Sequence, residues 1–129
     1  MISQDDVQSF IERLTDGVAS TEEVEPGMWV LTPGGDGVGI VVSFDPPVLV
    51  FRVNVMELPP PGPRRTELMQ KLLELNAGDL IHGSYGIEGA HVVLTDALQL
   101  ENLDFTEFQA SLESLSLALT SHKDQLLPG

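Results

Sequence analysis

The chain has 129 residues, the usual size of one domain with one buried core, and no cysteine, which removes disulfides, thiolate metal sites and cysteine nucleophiles. Twenty acidic side chains stand against six basic ones, a formal charge of -14 that repels nucleic acid and anionic membranes and attracts a basic polypeptide. The opening MISQDDVQSF carries acid where a signal peptide carries base, and no apolar run approaches the roughly eighteen residues of a membrane span, so a cytoplasmic protein is expected.

Ser3 followed by Asp6 reads as a capping arrangement, and Val7, Phe10, Ile11 and Leu14 recur at helical spacing up to Gly17, which predicts a first amphipathic helix. VASTEEVEP is a polar connection ending at Pro26. Strand-like runs follow at Met28 to Thr32, Val38 to Phe44 and Val48 to Met56, separated by PGGDG and DPP, and together they predict an antiparallel meander. Trp29 reads as core or sheet-face packing, because the aromatics are too sparse for a base-stacking surface or a cofactor cage.

The glycine-rich stretch TPGGDGVGIVV between the first two runs poses a separate question, since such loops also cradle phosphate. A phosphate loop opens a helix, whose N-terminal amides stabilise the anion. Here β-branched strand material follows, and Gly34, Gly35, Gly37 and Gly39 match neither the dinucleotide nor the P-loop spacing. The stretch is expected to turn a hairpin and bind no nucleotide.

ELPPPGPRR stops both helix and sheet by removing amide donors, and it is too short to divide domains. From Arg65, RTELMQKLLELNAG predicts a second helix stopped by Asn76 and Gly78. On it Leu68, Met69, Leu72, Leu73 and Leu75 cover an arc of about 160 degrees, wider than the roughly 100 degrees of one core contact, so two apolar neighbours are expected. DLIHGSYGIEGAHVVLTDA reads as a hairpin turning at Glu88-Gly89. Ile81, Gly83, Tyr85 and Ile87 then share a face with Ala90, Val92 and Leu94, and His82, Ser84, His91, Val93 and Thr95 share the other. Asp104 and Glu107 bracket the start of a last helix with Phe105, Phe108, Leu112, Leu115 and Leu119 at helical spacing. The expected fold is a single α+β domain over 1-129, in the order α-β-β-β-α-β-β-α, with an antiparallel sheet packed by helices.

Side chains that bear chemistry do not converge. In the hairpin register above His82 lies opposite Thr95 and His91 opposite Gly86, about 13 Å apart along the ladder, too far to share a zinc ion. His122, near the end of the last helix, is placed to interact with the helix dipole and late carbonyls. Asp5-Asp6 and Glu22-Glu23 read as solvated faces, because general acid-base catalysis needs a pocket that shifts one pKa of a pair. The serines of SLESLSL sit in no nucleophile setting. No catalytic residue, cofactor or metal site is expected.

The segment LLELNAGDLIHGSYGIEGAHVVLTDALQLENLDFTEFQASLESLSLAL resembles the C-terminal half of the YbjN-like family and of the class I type III secretion chaperones. The resemblance lies in the helix ending Leu72-Leu73-Glu74-Leu75-Asn76, the hairpin turning near Gly89, the VVLTDALQLENLD strand and exit, and the long amphipathic helix. It implies a homodimer without catalysis that binds extended client polypeptides, or an accessory regulator. The PPPGP link departs from the pattern. A two-fold partner would cover the wide arc of the second helix, through Leu68, Leu72 and Leu75 or through the Met69-Leu73 edge, a split that the sequence leaves open.

Overall fold

The computed structural model describes residues 1–14, 18–33, 38–80 and 82–126. The elements in chain order are α1 (Gln4–Arg13), β1 (Val18–Glu25), β2 (Met28–Pro33), β3 (Ile40–Asp45), β4 (Val48–Glu57), α2 (Pro63–Gly78), β5 (Ser84–Glu88), β6 (His91–Gln99) and α3 (Phe105–Leu126). Every expected element is present, and one strand is added. The segment read as a polar connection is β1, paired antiparallel to β2 with Thr21 opposite Leu31 and Glu23 opposite Trp29. Its described side chains from Ser20 to Glu25 are all exposed, so it carries no alternation of polar and apolar residues. Pairing to β2 makes it a strand.

Six strands form one antiparallel sheet in the order β1-β2-β3-β4-β6-β5. Strand alternation sends Trp29, Leu31, Ile40, Val42, Leu49, Phe51, Val53, Val92 and Leu94 to one face, where they form a single core with residues of all three helices. The other face carries Val30, Val41, Arg52, Thr95 and Ser84 side by side across the strands. Phe108 of α3 anchors the core, with ring centroids 5.6 Å from Phe10 of α1 and 5.7 Å from Phe51 of β4. Trp29 is buried, and its indole Nε1 donates to Gln8 Oε1 at 2.6 Å, which ties α1 to β2.

The helix starts follow local chemistry. Ser3 Oγ accepts from the Asp6 amide and the Asp6 carboxylate accepts from the Ser3 amide, a reciprocal capping box. The bonds from Ser3, backbone first, hold the Asp6 carboxyl below the usual aspartate range. Asp104 Oδ1 accepts from the Glu107 amide at 2.8 Å at the start of α3. In α2, Pro63 stands in the first turn, and its missing amide costs nothing there. Strands β2 and β3 pair antiparallel with Leu31 opposite Ile40, while the turn expected at Gly34 to Gly37 lies outside the described residues.

Candidate protein-binding surfaces

The five apolar residues of α2 divide. Leu68, Leu72 and Leu75 are 7%, 4% and 2% exposed and belong to the chain's own core. Met69 is half-buried, and Leu73 is 69% exposed. Around Leu73 the helix presents Thr66, Gln70 and Ala77, all exposed and uncharged, in a chain that is otherwise densely acidic. The wide arc therefore has a covered side, built from Leu68, Leu72 and Leu75, and an open Met69-Leu73 edge.

Where α2 ends, it grips the sheet edge. The helix runs to Gly78 and is capped by Asp79, so Asn76 is not the stop that its composition implied. Asn76 Oδ1 instead accepts from the Tyr85 amide at 2.7 Å, and its Nδ2 donates to the Tyr85 carbonyl at 3.0 Å. A side-chain amide thus pairs with an edge strand as a neighbouring strand would. Beneath it the buried Tyr85 hydroxyl lies 2.7 Å from Nδ1 of buried His122, whose Nε2 is 3.5 Å from Asp79 Oδ2. The ring thus stands between the tyrosine hydroxyl on its Nδ1 side and the Asp79 carboxylate on its Nε2 side. Burial pushes the Tyr85 hydroxyl up to about 12. His122 is therefore a buried tie between α3, β5 and the end of α2, a role that its place near a helix terminus did not reveal.

The second hairpin turns at Gly89-Ala90, with Glu88 opposite His91 and Ser84 opposite Thr95. This is two residues from the expected register. A shift of two preserves the sorting of faces, so Tyr85 still lies with Leu94 and Ile87 with Val92, but every predicted cross-strand pair moves. His91 faces Glu88, and His82 lies outside β5 altogether. Ile81 lies outside the described residues. Among the described residues no group of three or more His, Cys, Asp or Glu side chains is placed to hold a metal ion.

The sheet has two unlike borders. On β1, Glu22, Glu23, Val24 and Glu25 are exposed in succession. On β5, the outward amide and carbonyl of Tyr85 are taken by Asn76, and Ile87 is 46% exposed. Arg52 Nη1 reaches Glu88 Oε1 at 2.7 Å on the open face of the sheet, a solvated pair that contributes little to stability.

An antiparallel sheet covered on one face by helices, with a solvent-exposed β1 border and a bare leucine edge on α2, has surfaces suited to holding other polypeptides. The chain belongs to the CesT_Tir_1 family, a family of type III secretion chaperones, which it matches over residues 2–128. The family is non-enzymatic, and binding of protein is its function. Among solved structures, the fold is similar to a chain in the heterodimeric complex ExoU-SpcU from the type III secretion system of Pseudomonas aeruginosa. That match has a TM-score of 0.63 and 16% identity, and covers 78% of this chain and 83% of that one. No curated protein matches the sequence. The assignment falls on the secretion-chaperone side of the resemblance noted above, and no helix among the described residues is long and apolar enough to cross a membrane.

Proposed function

We propose that this protein is a homodimeric chaperone that holds an extended, basic segment of a client polypeptide, with the Met69-Leu73 edge of α2 at the dimer seam. Family membership over nearly the whole chain carries the chaperone reading, and the likeness to a chain of a heterodimeric secretion complex supports it. The charge of -14 supports a basic client, because opposite charge raises encounter rates and suppresses acidic competitors.

The dimer rests on Leu73. An exposed leucine forgoes about 1.5 to 3 kcal/mol of burial. Two-fold symmetry doubles that gain, and Met69 with the uncharged stripe beside it extends the contact against an association cost of several kcal/mol. Leu73→Glu is the decisive variant, since a side chain already in water can change without disturbing the core. Sedimentation velocity at tens of micromolar is expected to give a dimer for the wild type and a folded monomer for Leu73→Glu. A monomeric wild type, or a variant that keeps the wild-type mass, overturns the seam. Co-expression with the products of neighbouring genes tests the client. A stoichiometric complex that dissociates as salt rises is the expected result, and a complex indifferent to salt removes the basic-client part.

A further inference from the structure

The few basic side chains of this acidic chain are not spread evenly. Three of the six, Arg64, Arg65 and Lys71, fall between Pro63 and Leu72 in α2. Arg64, Leu68 and Lys71 follow one another at steps of four and three residues, which places them on one face of the helix. That face borders a cavity of about 250 Å³ against the end of α3. Its apolar floor is Met56, Leu68 and Leu126, its wall is Pro59, and Arg64 and Lys71 stand at its rim. Leu68 and Leu126 are buried, Lys71 is half-buried and Arg64 is exposed.

The chain's own carboxylates do not neutralise this rim. Among the described residues the ion pairs are Arg52–Glu88 and His122–Asp79, and Glu67, one turn from both Arg64 and Lys71, pairs with neither. The first turn of α2 carries no acid and has Arg64 and Arg65 instead, two positive charges at the positive end of a helix dipole, an arrangement that an anion from outside would relieve. The proline link holds the wall in place. Its prolines fix φ, and Arg65 Nε donates to the Pro59 carbonyl at 2.9 Å, which ties the link to the helix. The PPPGP segment that departs from the family pattern thus shapes one side of the cleft.

We infer that the cleft between the start of α2 and the end of α3 docks an acidic segment of a second protein, with one bulky apolar side chain on Met56, Leu68 and Leu126 and flanking carboxylates on Arg64 and Lys71. The cleft is smaller than the roughly 300–1,000 Å³ of small-molecule sites, so it suits a single side chain anchored from a peptide. The partner is acidic because the rim is cationic, and an arginine fork matches a carboxylate in geometry as well as charge. Nucleic acid is disfavoured by the apolar floor and by the charge of -14 around it. A second copy is disfavoured too, since its acidic β1 would enter the cleft only head to tail, a contact that does not close into a dimer. At about 100 degrees per residue, Arg64 and Leu73 lie on opposite sides of α2, so a segment docked here leaves the Met69-Leu73 edge free. This partner is additional to the basic client proposed above and opposite to it in charge.

A capped peptide with a single leucine flanked by glutamates is the probe, with a lysine-for-glutamate version and an alanine-for-leucine version as controls. Amide and methyl chemical shifts of the full chain provide the readout. The glutamate peptide is expected to shift Leu68, Lys71 and Leu126 saturably, with an affinity that falls as salt rises. The lysine peptide is expected to leave these residues unchanged, and the alanine version to bind about tenfold more weakly. Arg64→Glu, at an exposed position, is expected to weaken the glutamate peptide about tenfold, and Lys71→Met, which keeps the stem and removes the charge, about three- to fivefold. The two control peptides answer the same question on the wild type, whatever the fold of the variants. Equal binding of the lysine peptide, shifts confined to residues outside the cleft, or no binding at millimolar concentration overturns the proposal. Inorganic phosphate that shifts the same residues as strongly assigns the rim to phosphate anions and overturns it as well. Shifts at the cleft that grow with protein concentration alone assign it to a second copy, with the same consequence.

Discussion

The two borders of the sheet solve the same problem in opposite ways. At β5 a short strand is held by side chains: Asn76 takes the backbone of Tyr85, and the Tyr85 hydroxyl meets His122, so helix ends close the edge with buried polar contacts. At β1 a longer strand is left in water, defended by Glu22, Glu23 and Glu25. Charge on an exposed edge opposes pairing with like copies and leaves it open to a partner of opposite charge. One border is thus stabilised by geometry, which is costly to disturb. The other is tuned by electrostatics, which is cheap to change.

That contrast can be broken first at Asn76. Asn76→Ala leaves the amide and carbonyl of Tyr85 without their partners, at about 1 to 3 kcal/mol for each buried group. Chemical denaturation is expected to show a loss of about 2 to 4 kcal/mol, larger than any single change on β1. A loss below about 0.5 kcal/mol would mean that water replaces the side chain without penalty.

Tyr85 sharpens the comparison through pH. Burial pushes its hydroxyl up to about 12 in the folded chain, against an ordinary value of 10.0. Below pH 10 it is neutral in both states and its contribution is intact. Between 10 and 12 the unfolded chain releases this proton and the folded chain does not, so stability falls as pH rises, by about 2 to 3 kcal/mol over the window. Tyr85→Phe is expected to start less stable, with His122 Nδ1 unpaired, and to lose less between pH 10 and 12. Parallel slopes for the two proteins would remove Tyr85 as the cause.

The smallest effect is expected at β1. Glu22→Gln with Glu23→Gln changes two exposed side chains and is expected to move stability by less than about 0.5 kcal/mol, measured by the same denaturation. Association with a basic peptide is expected to slow at low salt and to converge with the wild type at high salt. A stability change as large as that of Asn76→Ala would mean that these carboxylates are structural.

Much of the fold was legible because it depends on neighbours in the chain. The capping box at Ser3 and Asp6, the Asp104 cap, the apolar spacing of α1 and α3 and the alternation of β2, β3 and β4 are local, and the structure reproduces them. The resemblance carried by the second helix, the hairpin and the last helix reached the family. The candidate surface was legible only in outline. Five apolar residues on α2 promised two partners, but which of them meet the core depends on how the helix rotates over the sheet, and that placed Leu68, Leu72 and Leu75 inside and Leu73 in water. β1 was invisible for a related reason, since an edge strand with solvated side chains has no hydrophobic period and exists through backbone bonds to β2. The hairpin slipped by two residues because alternation determines faces and leaves steps of two degenerate.

By itself, then, the sequence determined the α+β fold class, the order of the predicted elements and the acidic character, all of which follow from composition and short-range periodicity. Only the tertiary structure decided that Asn76 grips Tyr85, that His122 is buried between Tyr85 and Asp79, and that Arg64 and Lys71 share a cleft with the end of α3. Those contacts join residues 9 and 37 apart in the chain for the first two ties, and their energies come from removing paired polar groups from water. No local pattern encodes which distant group will be there to pair.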